Sequence, residues 1–275
     1  MGDTKISYDE QFGIRTFKRE ICSELGEPFW LELTDGLVLP DMETEAGCKC
    51  CNMHTFICRL EAMADEKTVR KILYRVRHGI HPSQSAWARE EFLEIGDLDK
   101  FLQKHLETET ERFIELNREH KDFYGQEITD EVLEFIQKNP SMLAPIRHGN
   151  KLHCMAFPYN MREYLDAADD TMRRYHACHC PFAKESILSD MPISPILCYC
   201  SLGHVMNFTE AFLGRELEGR VVHSVLNKDL TCEYEITIPE DIMTQYIAPR
   251  GMENVIDTGK MNNNKSWRGM ECCWN

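Results

Sequence analysis

The apolar residues of this chain change period once, near Pro145, and that change limits the fold more than any other feature. Before it they recur at three- and four-residue intervals, as in Phe56, Ile57, Leu60 and Met63 or Val69, Ile72, Leu73 and Val76, the spacing of one helix face. Just after it the period is two: Leu152, Cys154 and Ala156 fall on one side and His153, Met155 and Phe157 on the other, as in a strand. The spacing therefore predicts an α+β protein, with a helical N-terminal half packed on a C-terminal α/β domain that carries a small antiparallel sheet. We divide it as residues 1–144 (mainly helical), 145–250 (α/β) and 251–275 (an irregular tail).

Punctuation residues refine the pattern. A helix is expected from Met53 to Met63, with Cys50 and Cys51 in a loop before it; Asp65 caps a second helix that Gly79 ends. Asp97 opens a third with Leu98, Phe101, Leu102 and Leu106, which the polar run ETETERFIELNREHK continues or bends, and TDEVLEFIQKN stops at Pro140. Beyond the first strand come one helix from Met161 to Tyr175 and another near Leu202 to Leu213, ended by Gly214. Two strands follow, LEGRVVHSVL and TCEYEITI, around a turn at Asn227-Lys228-Asp229. Cys232, Tyr234, Ile236 and Ile238 alternate with Glu233, Glu235 and Thr237, so Cys232 is expected to face the core.

Charge and cysteine usage narrow the function. With 31 basic against 46 acidic side chains the net charge is −15, which disfavours a nucleic-acid partner, since a phosphate backbone needs a basic face. No apolar run reaches the roughly 18 residues of a membrane span, and the N-terminal MGDTKISYDEQFGIRTFKRE has no signal-like core, so a cytoplasmic protein with no membrane partner is expected. The thirteen cysteines are clustered (Cys48, Cys50, Cys51; Cys272, Cys273) rather than spaced like a secreted disulfide scaffold, which points to metal or thiol chemistry. The composition leaves a homodimer open.

The densest cluster is YHACHCPFAKESILSDMPISPILCYCSLGH, with Cys178, Cys180, Cys198 and Cys200 as two Cys-x-Cys pairs. Side chains two apart share a face of extended chain but lie about 200° apart on a helix, so pairs that act together should be extended or in turns. Pro181 holds Cys180 out of the helical region and suits the first position of a helix PFAKESIL, which would put the Cys180 thiol at a positive helix end and favour its thiolate. Ser201 can cap the helix that follows the second pair. Four such thiolates suit a tetrahedral zinc ion, and equally iron or an iron–sulfur cluster. The plainer reading is packing, because a free cysteine is a compact hydrophobe. His179, between two of the cysteines, is a candidate general base beside a Cys180 thiolate, although a solvated or core histidine explains it as well. Helix capping accounts for His78 or His81, and His204 lies near a helix start that favours its neutral form. Trp267 and Trp274 are the residues by which the tail could dock.

The motifs RHGNKLHCMAFPY, RRYHACHCPFAKESI, PILCYCSLGH and AFLGRELEGRVVHSVLNKDLTCEYEI, with CKCCNMHTF and GDLDKFL upstream, resemble an uncharacterised family of cysteine-rich proteins from anaerobic bacteria. More distantly, Cys198 to Ile238 resembles vinyl-4-reductase-type small-molecule-binding domains and the L-2-amino-thiazoline-4-carboxylic acid hydrolases. That resemblance implies helices packed on an antiparallel sheet around a ligand pocket. It also implies a zinc site with a cysteine before a helix, a Glu-x-x-Cys on the penultimate strand and a cysteine on the last strand. Cys198 and Cys232 match the first and last; the middle pair falls on Val221 and Ser224. The expected metal set is thus Cys178, Cys180, Cys198, Cys200 and Cys232, with Cys180 and His179 as catalytic candidates. The reading is a metal-binding (zinc or iron) small-molecule protein of hydrolase type. A non-catalytic ligand-binding or sensing module with a structural cysteine–metal site, and a thiol-redox protein, are its alternatives.

Overall fold

The computed structural model describes residues 13–40, 44–79, 85–189 and 191–247. Within them a helical N-terminal half leads into an α/β region, the α+β class that the change of period predicts. Helices α1 (Ile14–Leu25), α2 (Glu27–Thr34), α3 (Ala46–Met63), α4 (Glu66–Val76), α5 (Trp87–Ile95) and α6 (Leu98–Arg118) come first. A two-stranded hairpin, β1 (Asp122–Phe123) and β2 (Gln126–Glu127), and helix α7 (Asp130–Lys138) follow. The main sheet is built from β3 (Ile146–His148), β4 (Lys151–Met155), β5 (Glu218–His223) and β6 (Glu233–Thr237). Helices α8 (Met161–Asp166), α9 (Asp170–Ala177) and α10 (Tyr199–Leu213) lie between β4 and β5 in sequence, and α11 (Glu240–Tyr246) follows β6.

Helix starts follow capping chemistry. Asp65 accepts the Thr68 N–H at 3.1 Å and Asp97 that of Lys100 at 3.0 Å, and Thr129 caps α7 through Val132. The polar run after Leu106 continues α6 to Arg118. Two expectations are corrected. Helix α3 begins at Ala46, so Cys50 and Cys51 are helical rather than in a loop; Lys49, Cys50 and Met53 extend the buried stripe of Phe56, Ile57 and Leu60 by another turn. The single helix from Met161 to Tyr175 is two, because Asp169 accepts the Met172 N–H at 2.9 Å and starts α9 afresh.

The sheet is antiparallel in the order β3-β4-β6-β5, with Leu152 opposite Ile236 and Cys154 opposite Tyr234. These four are buried with Leu202, Met206 and Phe212 of α10 and with Phe92 and Phe101 of α5 and α6. Helix α10 therefore carries the join between the sheet and the N-terminal helices. Its other side meets α4 so closely that a Cβ on Gly203 would lie 1.8 Å from the Tyr74 carbonyl oxygen. Among the described residues no helix is long and apolar enough to cross a membrane. The tail, with Cys272, Cys273, Trp267 and Trp274, and also His81, lie outside the described residues.

Candidate functional site

The two Cys-x-Cys pairs are presented by different local structures. Cys178 is the residue after α9, in extended conformation, and its N–H is held by the Arg174 carbonyl at 3.1 Å. After it, Pro181 does not open an α-helix. The chain turns, with the Cys180 carbonyl accepting the Ala183 and Lys184 N–H groups at 3.1 and 2.9 Å, and only a short 3₁₀ segment, Lys184–Leu188, follows. This corrects the expectation that Cys180 sits at a positive α-helix end.

The second pair lies on the entry to α10. Ser194 accepts the Ile196 N–H and begins a 3₁₀ turn, Pro195–Cys198, that runs straight into α10 at Tyr199. Cys198 and Cys200 are consequently helical, not extended, and Ser201 is inside the first turn rather than capping it. Proline at the start of the 3₁₀ turn explains the shift, since its fixed φ lets the helix begin earlier than the serine signal indicated.

Even so, Cys178, Cys180, Cys198, Cys200 and Cys232 all line one cavity of about 460 Å³. Three histidines, His78, His179 and His204, line it as well. Cys232 precedes β6 and is half-buried, facing this cavity, whereas Tyr234, Ile236 and Ile238 are buried as expected. The Cys198 Sγ lies 2.9 Å from the Ser224 Oγ, and the His78 Nε2 lies 3.3 Å from both the Cys200 Sγ and the Ser201 Oγ. The His78 and His204 rings are 5.2 Å apart. His179 points its Nε2 at the Phe157 carbonyl and sets its ring edge-on to Tyr159. Among the described residues of the cavity the thiol–imidazole contact is thus Cys200 with His78, not Cys180 with His179.

Burial governs the electrostatics. It pushes the Cys180 and Cys198 thiols well above their ordinary range and Cys178 to about 12; mutual repulsion with Cys200 and Cys232 adds to this. It also lowers His78 well below an ordinary imidazole, takes His204 down to about 3 and lowers His179. Near neutral pH the walls carry protonated thiols and neutral imidazoles. Among the described residues that line the cavity there is no Asp, Glu, Lys or Arg.

The zinc set implied by resemblance fits in part. Ser224 stands where a cysteine would complete that pattern, and it does meet Cys198, but it offers a hydroxyl. The Cys200–His78 gap is close to the roughly 3.5 Å that separates a sulfur and a nitrogen around tetrahedral zinc, taking bonds of about 2.3 and 2.0 Å. Yet among the described residues no group of three or more His, Cys, Asp or Glu stands close enough to hold a metal ion. The donor types suit a soft metal; their spacing is not that of a finished site.

His78 is the residue the sequence hid. Arg77 and His78 are both left-handed, at φ 49° and 50°, and turn the chain off the end of α4 towards α10. The Arg77 guanidinium is buried against Glu210 and Asn207 of α10 and reaches the Tyr74 hydroxyl. The available signals were a glycine and a glutamate inside α10, and neither refers locally to His78. Cys50 is buried and Cys51 exposed, outside the cavity, and His54 holds the Pro192 carbonyl through Nδ1 at 2.8 Å. No protein-family model matches the chain, and no curated protein or solved structure matches it significantly.

Proposed function

We propose that the chain binds a small molecule in this cavity and that its soft-donor wall is the working chemistry, in a non-catalytic ligand-binding or sensing protein. Zinc or iron is the metal those thiols would take, beginning from Cys200 and His78. The observation that carries the reading is the convergence of all five cysteines and three histidines on one cavity of about 460 Å³, within the usual size range for small-molecule sites. Binding is favoured over catalysis because the Phe157 carbonyl occupies the His179 Nε2, the base expected beside Cys180, and among the described residues no Asp or Glu lines the cavity to orient the His78 imidazole beside Cys200. A thiolate nucleophile beside a free base is the arrangement that covalent catalysis needs.

The hydrolase reading keeps one observation in its favour, since the cavity wall includes both Cys180 and Cys200. The eleven described cysteines are all free thiols, which supports a reducing compartment such as the cytoplasm. The test is metal and acid-labile sulfide content of anaerobically purified protein beside a variant with Cys178, Cys180, Cys198 and Cys200 changed to Ser. Near-stoichiometric zinc or iron that the variant loses is the expected result, and labile sulfide would identify a cluster. Metal at the same level in both proteins, or in neither, would overturn the metal assignment.

A further inference from the structure

Helix α3 carries a second thiol–imidazole pair, apart from the cavity. His54 and Cys58 stand one turn from each other on it, and neither lines the cavity. The His54 Nδ1 lies 2.8 Å from the Pro192 carbonyl oxygen. A carbonyl oxygen only accepts, so Nδ1 carries the hydrogen and Nε2 is the nitrogen left for a metal. Backbone carbonyls orient metal-ligating histidines in this way. The Cys58 Sγ is 3.7 Å from that Nε2 and 4.0 Å from Nδ1. It therefore sits beside the ring, and the exposed cysteine has room to swing onto the Nε2 side. The 3.7 Å gap is close to the roughly 3.5 Å between a sulfur and a nitrogen around tetrahedral zinc.

One chain brings only these two donors to one ion. Cys51 lies two turns before Cys58 on the same helix, about 10 Å along its axis, too far for both sulfurs to reach one zinc. Among the described residues no group of three or more His, Cys, Asp or Glu stands close enough to hold a metal. Zinc takes four donors, and a two-fold axis beside α3 would supply the other two. The surroundings suit such a mate. Cys48, Cys51, Thr55 and Cys58 are exposed and put no charge on this side of α3, in a chain whose net charge of −15 otherwise opposes self-association. Leu188 and Met191 are exposed apolar side chains, and Met191 shares a cleft with Cys51. We propose that His54 and Cys58 are half of a tetrahedral zinc site, two thiolates and two imidazoles, that a second copy of this chain completes with α3 against α3. Each zinc bound releases the two thiol protons to solvent. This site is independent of whatever the cavity holds.

The test is the mass of the full chain by sedimentation velocity, under a non-thiol reductant, titrated with zinc chloride and then with a chelator. Zinc is expected to double the mass, with about half an ion per chain bound beyond what Cys58→Ser takes, and the chelator should restore the monomer. Cys58→Ser is a surface change that should leave Tm within about 2 °C of the parent, and it and His54→Ala should stay monomeric with zinc. Cys58→His returns a donor one turn from His54 and should return the zinc-dependent dimer, which a merely structural role would not do. Cys48→Ser and Cys51→Ser should dimerise as the parent does. A mass unchanged by zinc, or a zinc-dependent dimer that persists in both Cys58→Ser and His54→Ala, would overturn the inference. Metal lost from the four-cysteine variant with no zinc-dependent mass in any protein would overturn this site and leave the cavity assignment standing.

Discussion

Gly203→Ala tests the contact on which the site's geometry depends. The new Cβ would lie 1.8 Å from the Tyr74 carbonyl oxygen, 2.8 Å from its carbon and 3.1 Å from the Arg77 Cγ. Two of these atoms are backbone, so no rotamer change relieves the clash, and α4 must back away from α10 by more than about 1 Å to restore ordinary contact. Overpacking of this kind costs about 1–3 kcal/mol, and a rigid backbone partner puts it at the upper end. Alanine's better helix propensity returns about 1 kcal/mol. The net loss is about 2 kcal/mol, or roughly 4–8 °C in Tm. Gly47→Ala in α3 is the control, since nothing lies within 4 Å of its Cβ; it should be neutral or stabilising by up to about 1 kcal/mol. Urea unfolding followed by circular dichroism measures both. A Gly203→Ala protein as stable as the parent would refute the close helix crossing, and with it the placement of His78 against Cys200.

Arg77→Met leaves Glu210 buried without its guanidinium partner and should cost about 3–5 kcal/mol by urea unfolding, with Glu210→Gln in the same chain recovering much of the loss. Burial raises the Cys154 thiol from 9.0 to about 12, so the unfolded chain releases this proton from about pH 9 while the folded one keeps it. Stability should therefore fall as pH rises from 9 to 12, by about 1 kcal/mol per pH unit for this group, and Cys154→Val should flatten the measured slope by one proton. Ser224→Cys places a new thiol beside Cys198, where the hydroxyl now lies 2.9 Å away; zinc affinity, measured by competition with a chromophoric chelator, should rise at least about ten-fold.

The fold was legible where its signals are local. The capping aspartates at 65 and 97, the alternation through Tyr234 and Ile236 and the glycine stop at 214 each act over a few residues, and each is realised. Cys178, Cys180, Cys198, Cys200 and Cys232 could be gathered from spacing and resemblance, and they do share a cavity. What spacing could not give is their state. The pull of a helix end on Cys180 depends on an α-helix that Pro181 does not start, and the cost of ionising a thiol is set by burial among residues far away in sequence. His78 was unreadable for a related reason: its position comes from a left-handed step that a buried Arg77–Glu210 pair holds across 133 residues.

Cys178, Cys180, Cys198, Cys200 and Cys232 open onto one cavity of about 460 Å³. Methylmercury seeks thiols whatever their protonation, and a crystal structure of the reduced protein soaked with it shows whether these five are reached through that cavity. The expected result is mercury on at least two of Cys178, Cys180, Cys198, Cys200 and Cys232, within a single continuous cavity rimmed by Tyr124 and Tyr159. Mercury confined to the exposed Cys48, Cys51 and Cys58, with the five thiols dispersed in closed core, would contradict it.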